Sequence, residues 1–170
     1  IQTTPIQLCL MTAQIANGGH KIYPKLVIDE NNNEDDKFMS LVNQSRNIKI
    51  VQDAMFSSTN EVRGTSFKSR IEDPKYQFAG KTGTAQVKRI TKKDRELDLE
   101  TSEIPYEERD HALYIAFGPY KSPRYALSIL VEHGGSGSKV AAPLAKTLFK
   151  KIIDRHEIRK NHESKKYLDI

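Results

Sequence analysis

Apolar residues near the start of the chain recur at helical spacing. The stretch covers residues 5–17, and its apolar positions include Ile6, Leu10 and Ala13. Thr4 suits the N-cap of such a helix, Pro5 suits its first turn, and an Asn-Gly-Gly run at residues 17–19 suits its end. The pattern therefore predicts a first helix over residues 5–17.

A second helix is predicted from about Asn47 to Asn60. Its apolar stripe is expected to contain Ile48, Val51, Met55 and Ser58. Residues 21–28 are predicted to be a short extended segment, and residues 29–37 an acidic, Asn-rich loop. Residues 60–66 contain Gly64 and are predicted to turn.

The pattern changes to strands in the second half of the chain. Residues 76–87 are predicted to be extended, and residues 88–110 to be a long charged loop. Two apolar runs, residues 113–117 and 125–131, flank a segment with two prolines and are predicted to form an antiparallel hairpin.

The chain is predicted to end in a third helix. A glycine-rich turn over residues 133–138 precedes it, and the helix is expected over residues 139–155. One face of this helix is predicted to contain Val140, Leu144, Leu148 and Ile152. Residues 156–170 are predicted to be a charged tail, so residues 1–155 form the folded part. The resulting fold class is α+β, an antiparallel sheet covered by helices.

Composition and charge narrow the function classes. The 170 residues are 37% hydrophobic and 29% charged, with a net charge of +5. Acidic residues are interleaved with the basic ones and no helix face collects positive charge beside aromatic residues, which argues against a nucleic-acid partner. The single cysteine, Cys9, lies in an apolar stretch and is interpreted as a structural thiol. The histidines show no metal-ligand spacing, so neither a metal nor another cofactor is expected.

The segment with the most chemical information is residues 79–87. Lys81 brings a positive charge, and Thr82 and Thr84 bring hydroxyl groups on the same face of a strand. Gly83 between them would let an extended peptide lie close to the backbone. Simple alternation places Lys81 on the opposite face, so the strand must either twist or be an edge that a ligand reaches from both sides.

Three interpretations of this segment compete. Gly80-Lys81-Thr82 matches the end of a phosphate-binding loop, but the first glycine of that motif would fall on Lys75, and a strand rather than a helix follows. A glycine-broken strand without function is the second interpretation. The third is the Lys-Thr-Gly element of penicillin-binding proteins and β-lactamases.

Four blocks of the sequence resemble class B penicillin-binding protein transpeptidases, most of all the penicillin-binding protein 2 group of cell elongation. They occur in the family's order, at residues 3–19, 76–87, 109–120 and 125–143. The resemblance implies an incomplete transpeptidase fold. It also implies a parent enzyme that cross-links peptidoglycan stem peptides through an acyl-serine intermediate and binds β-lactams.

The resemblance also implies roles for individual residues. Lys81 would be catalytic through its positive charge, and the N–H of Thr84 would be a catalytic oxyanion donor. Thr82, Gly83 and Thr84 would bind the substrate or a β-lactam. Further implied partners are the upstream half of the domain and a glycan-polymerising enzyme. The implied location is the extracytoplasmic face of the bacterial inner membrane, with an anchor outside this chain.

This sequence departs from the family in its nucleophile. The family order is Ser-x-x-Lys, Ser-x-Asn, Lys-Thr-Gly, and no credible Ser-x-x-Lys precedes Lys81. Two segments match these motifs in residue types alone: Ser58-Thr59-Asn60 and Ser136-Gly137-Ser138-Lys139. Ser136 or Ser138 fits a helix cap better. No nucleophile is therefore assigned, and the chain alone is expected to be inactive. A β-lactamase-like or sensor domain and a non-enzymatic remnant or interaction module remain as alternatives.

Overall fold

The computed structural model describes residues 2–26, 39–88 and 99–166, with the side chains described as far as residue 160. These residues form three α-helices and a three-stranded sheet. In chain order the elements are α1 (Pro5–Ala16), α2 (Ser45–Asn60), β1 (Ala79–Ala85), β2 (His111–Gly118), β3 (Tyr125–Val131) and α3 (Ala142–Lys166).

The first helix begins and ends where the sequence predicts. Thr4 and Gln7 form a capping box: the Gln7 side chain accepts from the Thr4 backbone N–H at 2.8 Å, and the Gln7 N–H donates to the Thr4 hydroxyl at 3.4 Å. Gly18 and Gly19 follow with φ near +90°, a conformation that terminates helices and favours glycine. The prediction for this helix is confirmed.

The sheet has the order β1-β2-β3, and both strand pairs are antiparallel. β2 and β3 are the predicted hairpin. The predicted strand over residues 76–87 is shorter in the structure, because the Tyr76 N–H donates to the Asp73 carbonyl in a turn and regular pairing begins only at Ala79. The fold class predicted from the sequence is confirmed.

Helices cover both faces of this sheet. On one face, α3 packs on β2 around the fully buried side chains of Phe78, Tyr114 and Phe149. On the other face, α1 and α2 enclose a smaller cluster that contains Met55, Ala79 and Phe117. β1 is therefore supported from both sides, while its outer edge pairs with no strand of the described residues.

The apolar face predicted on the third helix lies one residue away from the face that enters the core. Leu144 and Leu148 are 46% and 41% exposed, and the side chains that enter the core are Ala141, Ala145, Phe149 and Ile153. Both stripes are apolar and lie side by side on the helix, so periodicity could not choose between them. The stripe that contains Phe149 is the buried one, because its ring stacks on that of Phe78, the residue before β1.

The stripe predicted on the second helix is only partly buried. Met55 is buried as expected, but Val51 is 41% exposed, and the next buried residue is Thr59 rather than Ser58. A threonine can be buried here because its hydroxyl bonds the Met55 carbonyl and the Tyr114 hydroxyl.

One predicted boundary differs in the structure, and other predicted segments lie partly or wholly outside the described residues. α3 continues through Lys166, beyond the predicted end at residue 155, so much of the expected charged tail is helical. The predicted extended segment at residues 21–28 begins next to a β-bridge between His20 and Ser40, and its last two residues lie outside the described ones. The predicted loop at residues 29–37, together with residues 89–98 of the charged loop, lies outside the described residues. In the described ranges, no helix is long and apolar enough to cross a membrane.

Candidate functional site

The Lys-Thr-Gly segment lies on β1, which is an edge strand among the described residues. This position explains how Lys81 reaches the side of the strand on which Thr82 and Thr84 lie. The Lys81 ammonium donates to the Thr82 carbonyl at 2.8 Å and approaches the Thr82 hydroxyl to 3.4 Å. Its long side chain therefore curls around the open edge toward the threonine side. Lys81 and Thr84 are exposed, and Thr82 and Gly83 are half-buried.

The backbone of β1 offers hydrogen-bonding groups at the same edge. Alternate residues of an antiparallel strand direct their N–H and C=O groups to the same side. The Thr82 carbonyl is engaged by Lys81 at the open edge, and Thr84 lies two residues further on. We infer that the Thr84 N–H faces outward, where it can donate to a ligand.

A buried cluster of hydroxyl groups packs against β1. The Tyr114 hydroxyl lies 2.9 Å from the Thr59 hydroxyl and 3.0 Å from the Ser66 hydroxyl. Burial raises the pKa of Tyr114, so its phenol stays protonated and can donate to one of these partners. The ring lies directly under Gly80, because a Cβ built on Gly80 would fall 2.3 Å from the Tyr114 hydroxyl oxygen.

Gly80→Ala should therefore destabilise the fold. The added methyl group must displace a fully buried tyrosine and disturb its hydroxyl partners, so we expect a loss of about 1–3 kcal/mol in the free energy of unfolding. Urea unfolding measures this loss. Gly83→Ala is the matched control, since its new methyl group would meet only the Leu113 Cβ at 3.3 Å and the Leu113 carbonyl at 4.0 Å. Equal stability of the two variants would contradict the proposed contact.

The sequence interpretation missed a further hydroxyl group beside Thr82, that of Thr65. The Thr65 hydroxyl lies 3.4 Å from that of Thr82 and 3.1 Å from that of Ser58. Thr65 belongs to the turn after α2, which was predicted only as a connection. No local pattern marks it, because its approach to Thr82 depends on how α2 packs against β1.

The two segments that match the family's serine motifs in residue types alone have structural roles. The Asn60 amide donates to the Phe56 and Phe78 carbonyls, so both of its N–H donors are occupied by backbone. The Ser136 hydroxyl accepts from the Lys139 N–H at 3.3 Å and caps the π-helical turn Gly137–Ala141 that leads into α3. The predicted cap is therefore confirmed for Ser136.

The glycine-rich turn also contacts β1. A Cβ on Gly137 would fall 2.6 Å from the Gly83 carbonyl oxygen, so only a glycine permits this approach. Asp110 links the same region: its carboxylate accepts from the Val87 N–H at 3.3 Å, and its carbonyl accepts from the Gly135 N–H at 2.8 Å. The turn and the charged loop together hold the far end of the strand.

Neither a metal site nor a reactive thiol is supported by the described residues. No group of three or more His, Cys, Asp or Glu side chains there could hold a metal ion. Cys9 is half-buried, and its thiol donates to the Ala126 carbonyl at 3.5 Å. Burial raises the pKa of this thiol, which disfavours the reactive thiolate.

Known proteins are similar to this chain over most of its length. The family model described as "Penicillin binding protein transpeptidase domain" matches residues 1–152. The peptidoglycan D,D-transpeptidase MrdA of Salmonella typhimurium is 30% identical over 159 residues, which cover 89% of this chain and 25% of the relative.

Solved structures of penicillin-binding protein 2 are similar in fold and sequence. The Helicobacter pylori protein in its complex with MreC aligns with a TM-score of 0.69 and 31% identity over 89% of this chain and 25% of that one. The Pseudomonas aeruginosa protein in complex with WCK 5153 aligns with a TM-score of 0.63 and 35% identity over 85% of this chain and 29% of that one. The chain thus spans about a quarter of the length of these relatives.

Proposed function

The chain belongs to the penicillin-binding protein transpeptidase family, and from this premise we propose that it is the β1-bearing part of a peptidoglycan D,D-transpeptidase. The proposed enzyme cross-links stem peptides through an acyl-serine intermediate and is acylated by penicillin at the same serine. The observation that carries the proposal is the open edge of β1, where Lys81, Thr82 and Thr84 offer a charge, hydroxyl groups and an N–H to one ligand.

The proposed reaction uses this edge to hold an extended peptide. The Thr82 and Thr84 hydroxyls bind the terminal carboxylate, and Gly83 leaves space for the acyl chain. A serine hydroxyl attacks the penultimate D-alanine carbonyl, and the Thr84 N–H stabilises the oxyanion. The bond to the terminal D-alanine breaks and that residue leaves as the free amino acid. An amine of a second stem peptide then attacks the ester and releases the serine. Lys81 contributes positive potential throughout.

We assign the nucleophile to an upstream part of the same domain, outside these 170 residues. Three features support such a partner. Within the described residues, the outer edge of β3 has no paired strand, and the Ser128 hydroxyl is buried without a hydrogen-bond partner. On the other side of the sheet, Leu144 and Leu148 expose apolar surface on α3. A strand and a helix supplied by the upstream part would cover these surfaces.

The other partners and the location are proposed from the family. The Helicobacter pylori relative was solved in a complex with MreC, and we propose that the parent of this chain joins a similar assembly with a glycan-polymerising enzyme. The substrate lies outside the inner membrane, so the same proposal places the domain on its extracytoplasmic face.

A chimera tests the proposed function. The matched segment of the Salmonella typhimurium relative is replaced with this chain, and the folded product is incubated with a fluorescent penicillin. We expect covalent label on a serine of the Salmonella part, and no label on this chain alone. A folded chimera that stays unlabelled would refute the proposal, and so would label on any serine of this chain.

A further inference from the structure

A basic pocket lies on the α3 side of the molecule, apart from the β1 edge. It has a volume of about 370 Å³ and opens between α3 and the segment that contains the 3-10 turn Phe67–Ser69. Six of its eight lining residues are charged. The residues that line it are Lys68, Arg70, Ile71, Glu72, Asp73, Tyr76, Lys146 and Lys150.

The positive charges in this pocket are only partly compensated. Arg70 pairs with Glu72 at 2.8 Å, and the Asp73 carboxylate accepts from a backbone N–H. Among the described residues, no ion pair involves the lysines of the pocket: Lys68, Lys146 and Lys150. Lys146 and Lys150 are also four residues apart on one helix, where like charges repel each other. An anion bound between them would relieve this repulsion.

The wall of the pocket is held in place before any ligand binds. The Tyr76 hydroxyl donates to Asp154 at 2.5 Å, and the Lys75 ammonium pairs with Glu157 at 2.7 Å. Both contacts tie the segment before β1 to α3. Ile71 is 5% exposed and anchors the floor, and the Arg70 guanidinium stacks on Phe67 with 4.0 Å to the ring centroid. A site that is already formed loses less entropy when it binds a ligand.

We propose that this pocket binds a phosphate group. A phosphate group carries one or two negative charges near neutral pH and several acceptor oxygens, which suits the three ammonium groups of the pocket better than a single carboxylate would. The volume leaves space for an organic substituent on the phosphate. The phosphate could be free in solution or could belong to a lipid headgroup. Both sources share this chemistry, and the experiment separates them.

Two variants with the same change in charge test the proposal. The pocket variant carries Lys146→Gln and Lys150→Gln. The control carries Lys121→Gln and Lys151→Gln, two exposed lysines that do not line the pocket. Binding of glycerol phosphate and inorganic phosphate is measured by calorimetry at constant ionic strength. Sedimentation of the chain with phosphatidylglycerol vesicles is compared with that for phosphatidylcholine vesicles.

We expect the pocket variant to lose at least about tenfold in affinity and the control less than about twofold, because only the first removes charges from the cavity. Loss confined to the soluble phosphates assigns the site to a free ligand, and loss confined to the vesicles assigns it to a headgroup. Equal loss in both variants would show a diffuse effect of net charge and overturn the proposal. Absence of binding to every probe would also overturn it.

Discussion

Lys81→Ala should lower the rate at which penicillin acylates the chimera by about 100-fold to 1,000-fold, the range found when one preorganised electrostatic group is removed from an acyl-transfer site. Among the residues that the structure describes, the Lys81 ammonium hydrogen-bonds only the Thr82 carbonyl and hydroxyl, and its side chain is exposed. Its loss should therefore remove positive potential from the β1 edge while leaving the core intact. The measurement is the second-order rate constant for labelling with fluorescent penicillin.

The matched control for this experiment is Lys121→Ala. Lys121 is an exposed lysine in the β2–β3 connection, away from the edge of β1. It should label at the rate of the unmodified chimera, and both variants should keep the same melting temperature. A decrease of less than about fivefold for Lys81→Ala would show that this charge is not used in acylation, because a preorganised electrostatic group is expected to contribute far more.

Phe149→Ala should lower the free energy of unfolding of the chain by about 3–5 kcal/mol, the usual loss when a buried phenylalanine is truncated. Phe149 is fully buried, and its ring stacks on Phe78 with 4.9 Å between centroids. A Cβ on Gly118 would fall 3.1 Å from the same ring, so the backbone of β2 also packs against it. This close packing leaves the neighbours little freedom to collapse into the cavity.

Leu148→Ala provides the comparison within the same helix. Leu148 is 41% exposed, so its truncation should cost less than about 1 kcal/mol in the isolated chain. Urea unfolding of both variants, with an unchanged dependence on denaturant, measures the difference. Comparable losses would mean that α3 presents both stripes equally to the sheet, contrary to the observed packing.

Local chemistry made several features of this chain predictable. The N-cap by Thr4, the glycines after α1 and the cap by Ser136 each depend on residues within a few positions of one another. The β2–β3 hairpin depends on two apolar runs joined by a short turn. Short-range patterns also predicted the extended segment around Lys81, but its assignment as the Lys-Thr-Gly element rested on the resemblance of four blocks spread along the chain.

Packing between distant segments settled what these patterns left open. α3 carries two adjacent apolar stripes, and only contact with β2 shows that the one with Phe149 is buried. The open edge that lets Lys81 reach Thr82 depends on the order of the strands, and no stretch of sequence encodes that order locally. The contact of Thr65 with Thr82 and the basic pocket beside Lys146 also depend on tertiary packing, because each brings together residues far apart in the chain. Periodicity and capping act over one or two turns, whereas strand order and face selection require the whole core to form.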